Sequence, residues 1–302
     1  MNPILVVENV VKRYSNHVAL DNISLSVPKG SIYGLLGPNG AGKTSLIRII
    51  TQITGADEGK VFFHKEELSP KHILNIGYLP EERGLYKKMK VGEQLIYLGR
   101  LKGLSEKEVK NRLKHWVERF EMQSWWKKNV SDLSKGMQQK VQFVAAVLHE
   151  PELLILDEPF TGFDPVNANL LTEAILDIRK KGATIIFSTH RMETVEELCD
   201  HITMIHQSKK VLDGRKNDIK KQYRTNTYIV DTEHPILLNE NFRVVKEEQI
   251  EEGHLQTTIE ILKGSTNDLL QTIIPQTNII AMKEKIPSMH DIFVEIVSRK
   301  KS

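Results

Sequence analysis

The sequence predicts an α/β protein: a mainly parallel sheet covered by helices on both faces, followed by a smaller α+β domain. Three observations lead there. Short apolar runs alternate with stretches of helical spacing. The central runs are apolar throughout, as strands buried on both faces are. Around Asp213 to Tyr223 the pattern breaks into charged residues, and the chain beyond Tyr223 has a different character.

Leu5 to Val10 and Ile23 to Val27 read as strands separated by polar residues around Asn16. Ser31 to Leu36 is a third apolar run, ending in the glycine-rich segment Gly37 to Thr44, after which Ser45 to Ile50 has helical character. Ile76 to Leu79 is a strand. Val91 to Phe120 carries helical spacing through Leu95, Leu98 and Leu101, then Val109, Leu113 and Val117, so residues from about 90 to 130 form a helical insertion. Gln138 to Leu148 is a buried helix, Leu153 to Leu156 a buried strand, Ala168 to Lys181 a helix and Thr184 to Ser188 another buried strand. These make a domain of residues 1–220. In residues 221–302, Thr227 to Val230, Phe242 to Val245, Gln256 to Leu262 and Ile279 to Lys283 read as strands, with helices over Thr266 to Ile274 and Met289 to Val297.

A chain of 302 residues has room for one large and one small domain, and 40% hydrophobic with 27% charged residues is the balance of a globular protein. The net charge of +3 is too small to point to nucleic acid. Residues 221–302 hold 10 Lys+Arg against 12 Asp+Glu, so the second domain is no basic patch either. The single cysteine, Cys199, rules out an intrachain disulfide and suits a reducing compartment. Within Glu-Glu-Leu-Cys-Asp it reads as a small buried helical residue, not a nucleophile. Met1 to Val11 lacks the pattern of a signal peptide, and no run approaches the roughly 18 to 20 apolar residues that cross a bilayer.

Gly37-Pro38-Asn39-Gly40-Ala41-Gly42-Lys43-Thr44 fits the phosphate-binding pattern G-x-x-x-x-G-K-[ST]. Its glycines let the backbone curl until N–H groups point inward, and the following helix adds its positive end. Lys43 reaches the outer phosphates, and the Thr44 hydroxyl suits Mg²⁺. Leu153-Leu154-Ile155-Leu156-Asp157-Glu158 places two carboxylates at the end of a buried strand, where ligands gather in parallel sheets. Asp157 suits a place close to the metal. Glu158 suits an attacking water, as general base or orienting acceptor. Ser134 and Gly136 precede a helix and form a second N-terminus fit for anions.

With these residues the chain resembles the ATP-binding-cassette (ABC) ATPases over roughly residues 4 to 215. Leu133-Ser134-Lys135-Gly136-Met137-Gln138-Gln139 is similar to the family signature loop, Gly162-Phe163-Asp164-Pro165 to the loop after the catalytic glutamate, and Ser188-Thr189-His190 to the segment that ends in the switch histidine. The resemblance implies a parallel core with an antiparallel β subdomain and the helical insertion. It implies ATP and Mg²⁺ as ligands, with Gly37 through Ser45 on the phosphates and Tyr14 stacked on adenine. Glu158, His190 and Lys43 are then catalytic, and Thr44, Asp157 and Glu81 are the expected metal-side residues. Ser134 and Gly136 would close over the nucleotide held by a second copy or a related cassette.

Two departures stand out. Lys135 and Met137 occupy the third and fifth places of a signature that usually reads Leu-Ser-Gly-Gly-Gln. Pro80-Glu81-Glu82-Arg83 follows the strand where the family commonly places glutamine; a carboxylate at Glu81 can bind Mg²⁺ but cannot donate like an amide. With Gly84-Leu85-Tyr86, these resemble the branch paired with ABC-2-type export permeases, including sodium-efflux and drug-export ATPases. The expected protein is therefore the ATP-hydrolysing subunit of an exporter of ions, drugs or peptides, cytoplasmic and peripheral at the inner face of the cell membrane. A separate membrane permease is its expected partner, with the insertion and the Glu81 loop forming a groove for a short permease helix. Trp116, Trp125 and Trp126 are expected in the local core, and Lys87, Lys88, Lys90, Lys127 and Lys128 are candidates for facing anionic headgroups. The alternatives are an ABC ATPase acting on nucleic acid or ribosomes, without a permease, or a non-hydrolysing regulatory module. No second cassette, heptad tract or zinc motif favours the former.

Overall fold

Two strands, Leu153–Asp157 and Thr184–Thr189, are buried at every residue, and both lie inside one six-stranded sheet. The computed structural model describes residues 2–82, 84–250 and 253–299; Arg83 of the expected metal-side loop lies outside them. The chain divides into two compact units, Met1–Arg215 and Lys216–Ser302.

The first unit opens with β1 (Pro3–Tyr14) and β2 (His17–Pro28), each 12 residues and antiparallel. Both outrun the apolar runs that signal them, because polar residues continue the pairing to Tyr14↔His17. Ser15, in the left-handed region at φ 47°, turns the chain between them. Next come β3 (Ile32–Leu36), α1 (Lys43–Ile50), β4 (Glu58–Phe63), β5 (Glu66–Glu67) and β6 (Ile76–Leu79). The insertion is α2 (Val91–Leu101) and α3 (Glu106–Arg119); the Ser105–Glu108 capping box starts the second helix. After α4 (Lys135–Val147) come β7 (Leu153–Asp157), α5 (Pro165–Lys180), β8 (Thr184–Thr189), α6 (Met192–Leu198), β9 (His201–His206) and β10 (Lys209–Arg215). Asp164 caps α5 by accepting from Asn167 N at 3.0 Å, with Pro165 in the first turn where its missing N–H costs nothing.

The sheets separate by direction. β2-β1-β4-β5 is antiparallel. β10-β9-β3-β8-β7-β6 is parallel except for the edge strand β10. A mainly parallel core beside an antiparallel subdomain is the arrangement expected. The edge strand is tied inward through Asp213, which accepts from Thr203 at 2.6 Å and from the buried Tyr33 hydroxyl at 3.2 Å. β10 pairs with β9 as far as Arg215↔His201, so the break between units falls at Arg215, within the charged stretch, and not after residue 220. Trp116 and Trp125 are core residues: the first stacks on Phe120 and meets Phe143 edge-on, and the second donates to Glu121 O at 2.8 Å.

In the second unit α7 (Lys216–Gln222) precedes an antiparallel sheet ordered β12 (Phe242–Gln249), β13 (Leu255–Ile261), β11 (Thr227–Thr232), β14 (Ile279–Glu284). Helix α8 (Thr266–Ile273) covers it through Leu269 and Ile273, which share a core with Val230, Phe242 and Ile259. α9 (Met289–Arg299) ends the described chain.

Where α4 runs out, His149 sits near Lys102, whose ammonium donates to Ile73 O at 2.7 Å and Ile76 O at 2.8 Å. Burial, helped by the Lys102 charge, pushes the His149 imidazole down from 6.5 to about 4. As pH falls, the unfolded chain takes up this proton before the folded one. The contribution to stability is therefore full above about pH 6.5 and is lost between there and pH 4. Urea titrations at stepped pH should show stability falling across that window, and a shallower fall in His149→Gln; an unchanged slope would remove His149 from the account.

Candidate active site

Between β3 and α1 the chain passes through Gly37 (φ 149°) and Gly42 (φ 112°), backbone angles that L side chains rarely adopt. Space forbids a side chain as well. A Cβ at Gly37 would lie 2.2 Å from Ile205 O on β9, and one at Gly42 would lie 2.3 Å from Ala19 O on β2. The loop is thus wedged between the parallel and antiparallel sheets, and Ala41 is buried in their shared core. α1 starts at Lys43, so its N-terminal dipole points into the loop. The Lys43 ammonium is buried and donates to Gly37 O at 2.8 Å and Pro38 O at 3.1 Å. Burial lowers its pKa, while the charges of Glu158, Asp157 and Glu81 oppose the shift.

Those carboxylates face the same cavity, about 320 Å³, together with Tyr14, Asn39, Gly40, Thr44 and Ser45. Thr44 Oγ1 donates to Asp157 Oδ2 at 3.2 Å. Asp157 is 1% exposed; burial raises its pKa, the Thr44 bond opposes that, and Glu81 and Glu158 add repulsion. A divalent cation would relieve this crowding of negative charge. Among the described residues no three His, Cys, Asp or Glu side chains converge as a metal cage. The hard oxygens of Thr44, Asp157 and Glu81 fit instead an Mg²⁺ held partly by phosphate oxygens and water.

Glu158 leaves β7 with φ 48°, uncommon for a residue other than glycine and concentrated at functional positions. The twist turns its carboxylate onto the end of β8. Oε1 accepts from His190 N at 2.9 Å and lies 2.7 Å from His190 Nδ1; Oε2 accepts from the Thr189 hydroxyl at 3.2 Å. Glu158 is 6% exposed and Thr189 2%, while the outer part of the imidazole stays open. An Nδ1 that donates to Oε1 leaves Nε2 directed elsewhere, either as an acceptor or, on the imidazolium, as a second donor.

Sequence reasoning missed three residues here. His17 lines the cavity because the tight turn after Tyr14 folds it back beside that ring, and Ala19 follows on the same strand. The polar residues around Asn16 were the available signal. Thr189 was legible only as a neighbour of His190; that it holds Glu158 depends on the register Asp157↔Ser188. Ser134 and Gly136 are not brought to this cavity. Ser134 caps α4, its hydroxyl accepting from Met137 N at 3.3 Å, and stands exposed. Gly136 lies nearest Gly162 and Phe163.

Comparison with known proteins agrees with this geometry. The ABC transporter family profile matches residues 20–161, a profile for the C-terminal domain of DrrA1-3-like ATP-binding proteins matches 214–297, and an AAA domain profile (putative AbiEii toxin, type IV toxin–antitoxin system) matches 127–196. The chain is 40% identical over 297 residues to the uncharacterized ABC transporter ATP-binding protein YhaQ of Bacillus subtilis, covering 97% of this chain and 98% of YhaQ. The chain belongs to the ABC transporter ATP-binding proteins. The linearmycin resistance ATP-binding protein LnrL of Bacillus subtilis is 32% identical over 98% of this chain and 99% of its own length. The Nod factor export ATP-binding protein I of Cupriavidus metallidurans is 35% identical over 72% and 73%. A solved ATP-binding subunit of an ABC transporter superposes with a TM-score of 0.69 at 32% identity, covering 73% of this chain and 93% of the other. As a member of this family the ABC subunit is an ATPase.

The Thr189 bond makes a prediction for that ATPase. Thr189→Val removes a donor to a buried carboxylate, an interaction worth roughly 1.5–3 kcal/mol. Steady-state kinetics should show kcat reduced about tenfold or more, with KM for ATP changed by less than about twofold. Equal losses in both would mean that Thr189 shapes the pocket and not the carboxylate.

Proposed function

We propose that this ATPase works as one of a pair of cassettes that close over two ATP molecules and drive an export permease carried on a separate chain. The observation that carries the reading is Glu158, held by Thr189 and His190 at the edge of the cavity that contains Lys43, Thr44 and Asp157.

In this reading the loop from Gly37 to Ser45 and the dipole of α1 bind the phosphates, and Tyr14 stacks on adenine from the tip of its hairpin. Lys43 turns its buried charge to the outer phosphates. Thr44 and Asp157, with Glu81 opposite, hold Mg²⁺, which when bound neutralises charge that develops on the phosphates. Glu158 accepts a hydrogen bond from the attacking water, and His190, steered by its Nδ1 contact, presents Nε2 to the γ-phosphate. Ser134 and Gly136 act in trans, at the nucleotide of the other cassette; the exposed Ser134 and half-buried Gly136 at the start of α4, outside the lining of this chain's own cavity, suit that role. Pairing then gains its interaction energy only in the closed state, which couples ATP binding to movement.

A groove of about 330 Å³ supports the permease contact. Ile73, Tyr78, Pro80, Leu85, Leu98 and Leu101 give it apolar walls, of the kind a short amphipathic helix would fill. No helix of the described residues is long and apolar enough to cross a membrane, so the membrane path is assigned to the partner. Export, as opposed to import, rests on the relatives: the names of LnrL and the Nod factor protein speak of resistance and export. Action on nucleic acid or ribosomes gains no support over transport from them.

Two measurements test this. Glu158→Gln should retain ATP-dependent dimers in size-exclusion chromatography while turnover falls by roughly three orders of magnitude; retained turnover would end the assignment of Glu158. Co-expression with the membrane protein encoded beside it should give a complex whose ATP hydrolysis is stimulated. Stimulation by RNA or ribosomes, with no such complex, would move the protein out of transport.

A further inference from the structure

We infer that a lysine ribbon at the base of the helical insertion docks directly on an anionic lipid bilayer, a contact separate from any made by the permease. The inference rests on the proposal that the protein works at a membrane.

The five lysines lie in two segments some forty residues apart in sequence, and the fold joins them. Residues 87–92 run antiparallel to 126–131. Ser131 N donates to Lys87 O at 2.9 Å, Val130 N to Met89 O at 3.0 Å, Val91 N to Lys128 O at 3.0 Å and Gly92 N to Trp126 O at 3.0 Å, with Lys90 opposite Asn129. Lys87, Lys88, Lys90, Lys127 and Lys128 are all exposed. Among the described residues only Lys90 meets a carboxylate, Glu93 at 3.6 Å; the other four carry uncompensated charge. The paired segments 87–92 and 126–131 themselves hold five lysines and no acid; Glu81, Glu82, Glu93, Glu121 and Asp132 flank them in sequence, and Asp132 accepts from Ser131 Oγ at 3.0 Å. Cation outweighs anion on the ribbon.

Two further features make this more than a solvated charge run. Tyr86 and Tyr97, 53% and 42% exposed, pack edge to face with centroids 6.1 Å apart beside the lysines. With Lys87, Lys88, Met89 and Glu93, Tyr86 lines a shallow depression of about 530 Å³. Amphipathic rings next to lysines are the composition that settles at the headgroup level, where the rings enter the interface and long lysine stems lie along it. The ribbon is also rigid at its root. Gly92 sits so close to the Trp126 indole that a Cβ there would be 2.3 Å from Cε2, and the preceding Trp125 is buried. The charges are spread over two separate exposed segments, which suits an extended anionic surface more than a compact anion.

Each lysine near an anionic surface contributes about 1 kcal/mol, or roughly fivefold in partitioning, and the effect fades beyond about 8 Å at physiological salt. The test uses the full chain and vesicles without permease. Co-sedimentation should be clear with vesicles of phosphatidylcholine and about 30% phosphatidylglycerol at low salt, and weak with pure phosphatidylcholine or at high salt. Lys127→Ala with Lys128→Ala should lower partitioning about 25-fold. Lys29→Ala with Lys181→Ala, the same charge removed elsewhere, should not change it, and both double variants should keep basal ATP turnover. Tyr86→Ser with Tyr97→Ser should weaken the binding that survives added salt. No preference for anionic vesicles, equal effects of the two lysine pairs, or stronger binding to single-stranded RNA at equal phosphate would overturn the inference. Since permease complex formation is scored separately, vesicle binding can fail while the transport reading stands, and the reverse.

Discussion

The close approach of two sheets at one glycine loop is the constraint on which the site depends. Gly37 sits against the carbonyl of Ile205 and Gly42 against that of Ala19, so the loop is clamped between β9 of the parallel sheet and β2 of the antiparallel one. Neither sheet alone could fix it. The clamp places Lys43 at the first turn of α1 and brings Tyr14, at the end of the neighbouring strand β1, to the rim of the same cavity. A side chain at either glycine would have to push backbone, not a flexible side-chain end, which is why glycine is required twice.

From that fixed point the chemistry follows the order of the strands. β7 and β8 are adjacent and parallel, so the carboxylates at the end of one lie beside Thr189 and His190 at the end of the other. Both strands are buried throughout, which puts Asp157 and Glu158 in surroundings that penalise isolated charge. The site offsets this with hydroxyls, backbone N–H groups and the Lys43 cation. The same burial that raises Asp157 makes it a good neighbour for a divalent cation.

The helical insertion shows a different economy. Its interior is aromatic, with Trp116, Phe120 and Phe143 in mutual contact, and its outside carries the charge. Lys102 ties α2 to the carbonyls of Ile73 and Ile76, next to the strand that leads into Glu81. The groove wall at Lys102 is thus hydrogen-bonded to the start of the strand that ends beside the nucleotide cavity.

The family and the parallel core were legible in the sequence because they rest on local patterns. A glycine loop between an apolar run and a helix, and two carboxylates after a buried strand, each need only contiguous residues. The same holds for Ser134 at the start of α4. What stayed illegible depended on pairing. The full length of β1 and β2 is set by cross-strand hydrogen bonds that polar residues satisfy as well as apolar ones. β4 and the edge strand β10 carry mostly exposed or half-buried residues and give little periodic signal. His17 and Ala19 reached the cavity through a turn, Thr189 reached Glu158 through strand register, and the lysines at 87–90 and 127–128 met through a ribbon. The sequence by itself determined which local geometries the backbone takes, since φ, capping and burial periodicity act within a few residues. Only the tertiary structure decided which side chains share a cavity or a face, because those contacts arise where distant segments are forced together by a common core.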